Sequence, residues 1–508
     1  MEQRRRRTAN VESSSNNTKT RSTKTETKGW TKNLFFKIVA VIFVVITCIF
    51  FGYIIKFDML PGAYLAVMGV ALAILTGLCV WGLIKRKGGI TLRIVITVFL
   101  FIVMAVYIFG INYMAATMEF MDVMTTEVEE TEDYYVVTLK VSKYDTIESL
   151  KGKNVHTFMA GEDYTDVKEG ILAKSKVNFK EDESLEQLVT TLLNDEIYAV
   201  LISNSQYSML SEDYVEFKDK TRIIYTVTHK IKLTEEPKEE VEEEENKKSY
   251  NIEDGVFNIY ISGIDTAGRI SNVARSDANI IVTVNTNTHK ILLTSIPRDY
   301  YVKLHSKGRK DKLTHSGIYG IKETYTTVED LLDIDINYYV RVNFTTLEKV
   351  VDALGGVDVY SDYAFTSYNY SYKKGINHLN GKKALEFARE RYSFASGDRQ
   401  RIKNQQAVIE AIMNKVLTSE TILTKYTSLL SSLSNSFQTN IKTSEINSIV
   451  KGQLNNMTGW TIESISLDGT GAHKTTYSYG SQALYVMIPN ETTVINAKNK
   501  INTILEGK

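Results

Sequence analysis

Cysteine is nearly absent: of 508 residues only Cys48 and Cys79 carry a thiol, and both lie in apolar runs. Everything after residue 118 has no cysteine, which excludes an internal disulfide, a zinc finger, thiol redox chemistry and a cysteine nucleophile there. The seven histidines show no His/Cys spacing suited to zinc. A Gly-x-Ser-x-Gly turn is missing as well, which removes a familiar serine-hydrolase signature. Net charge is lacking too, with 60 basic residues against 60 acidic ones. That balance conceals a split, because residues 1–118 hold 15 Lys+Arg and 4 Asp+Glu, leaving 45 against 56 for the rest. A uniform soluble globule would not divide its charge this way.

What the first part has is apolar length. Residues 38–55, 59–84 and 94–118 contain no charged side chain, and each reaches the roughly 18 residues that cross about 30 Å of hydrocarbon as a helix. Three transmembrane helices are expected within 34–118, behind a polar 33-residue tail that a cleaved signal peptide would not have. Their interiors hold no ionisable residue, which argues against a proton or ion pathway. Gly69, Ala73 and Gly77 form a small-residue ridge suited to close helix packing. Arg4 to Arg7 lead a basic tail, and Lys85, Arg86, Lys87 and Arg93 fill the second loop. Basic loops resist translocation, so both belong in the cytoplasm and everything after residue 118 belongs outside. The tail is Ser/Thr/Asn/Lys low complexity over 13–28; it reads as a topology anchor touching anionic membrane lipid, and no nucleic-acid partner is expected.

Outside the membrane the pattern is α/β twice over. Residues 119–233 alternate strand-like runs at 135–141, 154–159, 198–202 and 222–231 with a helix whose Leu185, Leu188, Val189, Leu192 and Leu193 share a face. This small accessory domain ends at a charged run, 234–248, that reads as a solvated linker and contains one of only four prolines. Residues 249–508 then show strands at 256–261, 279–285 and 290–296, with helices at 382–390 and 398–417. The expected fold is α/β, a mixed sheet covered by helices.

The chemistry lies where those elements end. Asp265 follows a strand, and a hairpin turning near Asn287 would bring Asp277 and Arg298 to one open end, flanked by Arg275 and Asp299. Provided the first strand neighbours the hairpin, Asp265, Arg275, Asp277 and Arg298 converge. A second group is helical: Asp398 is a natural N-cap, with Arg401 in the first turn and Gln405 one turn on. Arg389 and Arg391 end the preceding helix, and their alternate spacing requires the helix to stop there. Several arginines can neutralise a pyrophosphate bidentately without losing their own charge. Two neighbouring aspartates repel unless they hold a cation such as Mg²⁺, with Mn²⁺ the alternative. Together these describe a phosphoryl-transfer site. Against this, any one Arg–Asp pair is more often a surface salt bridge, and His315 reads as a hydrogen-bonded structural histidine.

The ordered series Gly263-Ile-Asp265, Arg275-Ser-Asp277, Ser295-Ile-Pro-Arg298-Asp299, Lys312-Leu-Thr-His315, Asp352 to Asp358, His378-Leu-Asn-Gly381, Arg389-Glu-Arg391 and Gly397-Asp398-Arg-Gln-Arg401 with Gln405 resembles the LytR-CpsA-Psr family. Three spans and an extra domain resemble its streptococcal capsule branch. The resemblance implies a membrane-bound phosphotransferase that moves a capsular or related glycopolymer from a polyprenyl-pyrophosphate carrier to a peptidoglycan acceptor. It also implies capsule assembly proteins as partners. Carried over, Asp265 and Asp277 would bind Mg²⁺; Arg275, Arg298, Arg389, Arg391, Arg401 and Gln405 would contact the pyrophosphate; Asp299 and Asp398 would be supporting groups or bases. Thr314-His315-Ser316 and Tyr319-Gly320 depart from the wider family pattern, which bears on acceptor or polymer choice. Two rival readings are a non-catalytic scaffold for capsule export and a lipid pyrophosphatase using water.

Overall fold

The computed structural model describes residues 23–85, 89–126, 130–158, 164–214, 216–230, 251–264, 270–418, 436–455 and 459–507. Residues 1–22 of the basic tail, the acidic run 234–248 and Asp265 lie outside them. The chain forms two compact units, Met1–Ala115 and Ala116–Lys508.

In the first unit, α1 (Thr23–Phe57), α2 (Gly62–Ile84) and the greater part of α3 (Ile90–Thr125) are long and apolar enough to cross a membrane. Phe43, Leu83, Leu100, Met104 and Tyr107 pack between them, while Val41, Val67 and Phe101 face outward. Exposed apolar surface of this kind suits a hydrocarbon surround. The expected small-residue ridge is only partly used: a side chain at Gly69 would meet the Phe51 ring at 3.0 Å, but Gly77 has nothing within 4 Å. The third helix outruns its expected end at 118 and continues to Thr125, through good helix formers at Glu119, Met121 and Met124.

Among the described residues the second unit holds two large sheets and four two-stranded ribbons. The first has five strands in the order β3-β2-β4-β1-β5: β1 (Thr131–Leu139), β2 (Asn154–Thr157), β3 (Asn178–Glu181), β4 (Ala199–Ser203) and β5 (Thr221–Lys230). Between them run α4 (Thr165–Leu172), α5 (Leu185–Leu193), α6 (Asn204–Asp213) and α7 (Phe217–Lys220). The stripe read from the sequence does its work, since Leu185, Leu188, Val189 and Leu192 are wholly buried. Ser203 and Gln206 form a reciprocal capping box that fixes the start of α6 directly after β4.

The second sheet begins with β6 (Val256–Ile264), β7 (Ser276–Asn285) and β8 (Lys290–Ile296). A short excursion follows through β9 (Tyr301–Lys303), β10 (Lys310–Lys312) and α8 (Leu313–Ser316), and then α9 (Ile321–Leu332), β11 (Tyr338–Asn343) and α10 (Phe344–Ala353). Small ribbons β12 (Val357–Ser361), β13 (Phe365–Thr366), β14 (Ser371–Tyr372) and β15 (Gly375–Leu379) lead to α11 (Gly381–Arg389) and α12 (Asp398–Thr418). The chain closes with β16 (Phe437–Thr439), the helix Thr443–Asn455, β17 (Thr461–Ser466), the hairpin β18 (Gly469–Thr476) and β19 (Gly480–Pro489), and the helix Glu491–Leu505. Six strands lie in the order β16-β11-β6-β7-β8-β17, parallel at β11–β6 and β8–β17 and antiparallel elsewhere.

Strand alternation gives this sheet two different faces. Tyr260, Ile281, Leu292 and Ile296 point into a core closed by α9 and the Glu491–Leu505 helix. Burying each such side chain contributes roughly 1.5–3 kcal/mol. Their neighbours Ile261 and Ile280 point the other way, toward α10 and α12, and there the packing leaves a cavity. The two sheets are joined by side chains. The Thr131 hydroxyl at the head of β1 donates to the Asn272 side-chain oxygen at 3.2 Å, and Arg341 on β11 forms a fully buried ion pair with Glu130. Tyr479 at the tip of the β18–β19 hairpin inserts among Leu185, Leu188 and Phe217 of the first sheet's core and donates to Asp213 Oδ2 at 2.7 Å.

Candidate functional site

The hairpin register accounts for the centre of the site. Asn279 pairs with Ile296 across β7 and β8, so Asp277 and Arg298 sit opposite each other just beyond the ladder. Arg298 Nη1 donates to Asp277 Oδ2 at 2.7 Å, and Thr314 Oγ1 donates to Oδ1 at 2.9 Å. The first strand is indeed the hairpin's neighbour, with Ile264 paired to Ser276, which puts Arg275 at the same end. Thr314 reaches Asp277 because α8 runs on into Gly317, whose backbone lies against Ala274 and Ser276. A side chain at Gly317 would collide with the Ala274 carbonyl oxygen and, at 2.7 Å, with the Ser276 nitrogen.

The helical residues arrive from the other side. The helix α11 ends at Arg389, and Glu390 turns extended, as the spacing of Arg389 and Arg391 requires. Arg389 lies over the Phe344 ring at 4.1 Å, and Arg391 Nη2 donates to the Tyr392 hydroxyl at 2.6 Å. One expectation is corrected here. Asp398 is the first residue of α12, not its N-cap, because Gly397, at φ +53°, lets the chain enter the helix one residue earlier. Its carboxylate ion-pairs with Arg401 Nη2 at 2.5 Å, drawn there by opposite charge three residues on.

Five arginines, Arg275, Arg298, Arg389, Arg391 and Arg401, therefore line one cavity of about 690 Å³ together with Asp277 and Gln405. The far wall is greasy, made by Ile261, Ile280, Val342, Phe344, Leu347 and Val408. Beyond Arg275, Arg298 and Arg391 lies a second cavity of about 210 Å³, and the same three residues line it. Asp299, Lys312, Thr314 and His315 face this smaller space. Asp299 pairs with Lys312 at 3.2 Å, and His315 Nδ1 lies 2.6 Å from buried Asp311. His315 is thus held as a structural histidine and also borders a cavity. Asp398 lines neither space. Lys312 was singled out only within a motif, and Thr314 only as a departure from one; their role beside the aspartates emerges from the fold.

The electrostatics favour an anion. Burial pushes the Asp277 carboxyl up, yet Arg298, Arg275 and Arg401 outweigh it and hold the group well below the usual carboxylate range. Asp299 behaves alike: burial raises it, while Lys312, Arg298 and Arg401 bring it down. Burial pushes the Arg401 guanidinium down, and Arg298 beside it adds like-charge repulsion. An anion between the two would relieve that repulsion. Asp398 goes the other way, raised by burial and by Asp299 despite Arg401.

A divalent metal can be judged on the donor set. Asp277 stays charged, and each of its oxygens keeps a lone pair after one hydrogen bond. Among the described residues no three His, Cys, Asp or Glu gather as a protein cage. Mg²⁺ takes one or two carboxylates and leaves the rest to phosphate and water, and Asp277 is one carboxylate of that kind.

Known proteins place this chain further. Over 186 residues, 36% of its length, it is 38% identical to the polyisoprenyl-teichoic acid–peptidoglycan teichoic acid transferase TagU of Bacillus licheniformis. Over the same number of residues it is 39% identical to TagU of Bacillus subtilis. The chain spans about 60% of the length of each of these relatives. The crystal structure of B. subtilis TagU is 33% identical, covering 50% of this chain and 98% of that one, with a TM-score of 0.39. A LytR_cpsA_psr family model matches residues 224–500, more than half of the 508, and the chain belongs to the LytR-CpsA-Psr family.

Proposed function

We propose that this protein transfers a glycopolymer from a polyprenyl-pyrophosphate carrier to peptidoglycan, forming a phosphodiester and releasing polyprenyl phosphate. The supporting observation is the joint lining of one cavity by five arginines and a long apolar wall. A lipid diphosphate is the ligand class that needs both surfaces at once. The greasy wall suits the prenyl chain, and the guanidiniums suit the diphosphate. Two named TagU relatives are teichoic acid transferases, which supports transfer to the wall; a capsular polymer and capsule assembly partners are the finer part of the proposal.

In the reaction, an acceptor hydroxyl oxygen bonds to the sugar-proximal phosphorus while that phosphorus parts from the bridging oxygen. The hydroxyl proton goes to a base, and the bridging oxygen leaves on the polyprenyl phosphate. Arg275, Arg298 and Arg401 offset the charge that grows on the leaving group. Asp299 lines a cavity and Asp398 does not, so Asp299 is the better placed base. Its depressed pKa is tolerable where the hydroxyl proton departs late, as in a loose phosphoryl transition state. Asp277 with Asp265 would hold Mg²⁺, which would neutralise phosphate charge when bound. The basic loops support an orientation with the tail inside and residues after 118 outside, where carrier and wall would meet.

The test is the purified full chain in detergent with a hexosyl polyprenyl pyrophosphate, Mg²⁺ and a peptidoglycan fragment. A glycan phosphodiester is expected, and Arg298→Ala should slow its formation about 10²–10³-fold. Polyprenyl phosphate formed equally without acceptor would mark a pyrophosphatase, and no turnover of the carrier would mark a scaffold.

A further inference from the structure

The smaller cavity is not built by the family domain alone. Its lining includes Met209 and Asp213 from α6 of the first sheet's domain, together with Leu484 and Tyr485 from β19. Lys312 and Asp299 line it as well, with the shared arginines. At about 210 Å³ it falls below the roughly 300 Å³ where pockets for drug-sized ligands begin. It has no continuous greasy wall and is too small for a prenyl chain.

Resting on the transferase reading, we propose that this cavity is a subsite for one sugar ring, and that the accessory domain, through Asp213, helps to choose that sugar. A diphosphate held by Arg275, Arg298 and Arg391 has its lipid side in the large cavity, so its other side faces this one. Sugar hydroxyls both donate and accept. The pocket offers carboxylate acceptors in Asp213 and Asp299, donors in Lys312 and the Tyr485 hydroxyl, and in Leu484 an apolar patch for a ring face.

The wall is also fixed in place. Asp213 accepts from Tyr479, whose ring is buried in the accessory core. The next residue back, Ser478, donates its backbone nitrogen to Asp311 Oδ2 at 2.7 Å, and Asp311 in turn holds His315. One chain of contacts thus ties accessory core, hairpin and pocket floor together. Such bracing is what a recognition pocket needs to discriminate.

The ring could be the first sugar of the donor or the acceptor sugar, and binding separates the two. The full chain in detergent micelles is titrated with bare polyprenyl pyrophosphate, with the same carrier bearing one hexose, and with a soluble peptidoglycan disaccharide. The wild type should gain about tenfold in affinity from the hexose if the donor sugar sits there, or bind the disaccharide if the acceptor does, as one charge-assisted hydrogen bond with its packing supplies. Asp213→Asn and Leu484→Trp should each reduce that preference about fivefold or more, while bare-carrier affinity moves less than about twofold. Unchanged thermal melting confirms that either variant has folded. The proposal is overturned if neither sugar adds affinity in the wild type, or if both folded variants leave sugar binding untouched or weaken the bare carrier equally. If the bare carrier itself does not bind, the transferase reading falls, and the disaccharide titration alone decides the pocket.

Discussion

Two largely buried arginine–carboxylate pairs border the six-stranded sheet, and they are put to opposite uses. Arg341 and Glu130 are 1% and 2% exposed, one charge against one. Arg341 also donates to the Asn272 carbonyl at 3.3 Å, and the Ile321 amide donates to Glu130. Arg298 and Asp277 are 7% and 18% exposed, and four further arginines face the same cavity. The first pair closes upon itself; the second sits in a surplus of positive charge. Burial and ion pairing are common to both, so neither marks the site. An excess of one sign beside open space does.

The comparison can be broken most severely at the closed pair. Glu130→Ala strands Arg341 without its acid and should cost about 3–5 kcal/mol of stability, read from the unfolding midpoint. Replacing both residues together with apolar ones of similar volume should restore most of it. Arg298→Ala should do the reverse. Arg275 and Arg401 still compensate Asp277, so stability should fall less, while transfer should slow about 10²–10³-fold, or ~2.7–4 kcal/mol. An equal loss of stability in the two variants would mean that both pairs serve the fold alike. Smaller again is the greasy wall: Leu347→Trp should weaken the long-chain carrier about tenfold and a carrier with a very short prenyl chain hardly at all, through overfilling.

The pH dependence sharpens the contrast with the least effect. The folded pKa of Asp277 is depressed, so its contribution to stability is full above its unfolded value of ~3.9 and is lost as pH falls through and below that value. The stability gap between wild type and Asp277→Asn should therefore be flat at neutral pH and shrink on acidification. A gap that widened instead would mean that Asp277 is protonated in the folded protein.

Much of the frame was legible. The run 290–296 became β8 residue for residue, and counting from the turn placed Asp277 opposite Arg298, because antiparallel register propagates along a hairpin. Apolar spacing found α5 and α12 for the same local reason. What escaped is non-local. Thr314 joins Asp277 across 37 residues, and Glu130 meets Arg341 across 211, pairings that no periodicity encodes. The greasy cavity escaped for another reason: Ile261 and Ile280 differ from core residues only by what the opposite helix fails to fill. Asp213 carried no motif at all, and only the insertion of Tyr479 into the accessory core reveals its position.

The partition of Arg275, Arg298 and Arg391 between two chambers has a bearing on inhibitor design. If the large cavity takes the prenyl chain and the small one a sugar, as proposed, a prenyl-like fragment and a small hydroxylated fragment found separately would both reach Arg275, Arg298 and Arg391, which line both cavities. Joined through a diphosphate mimic, such a bisubstrate compound would convert two modest affinities into one strong one, since the second fragment would be captured at a high effective concentration.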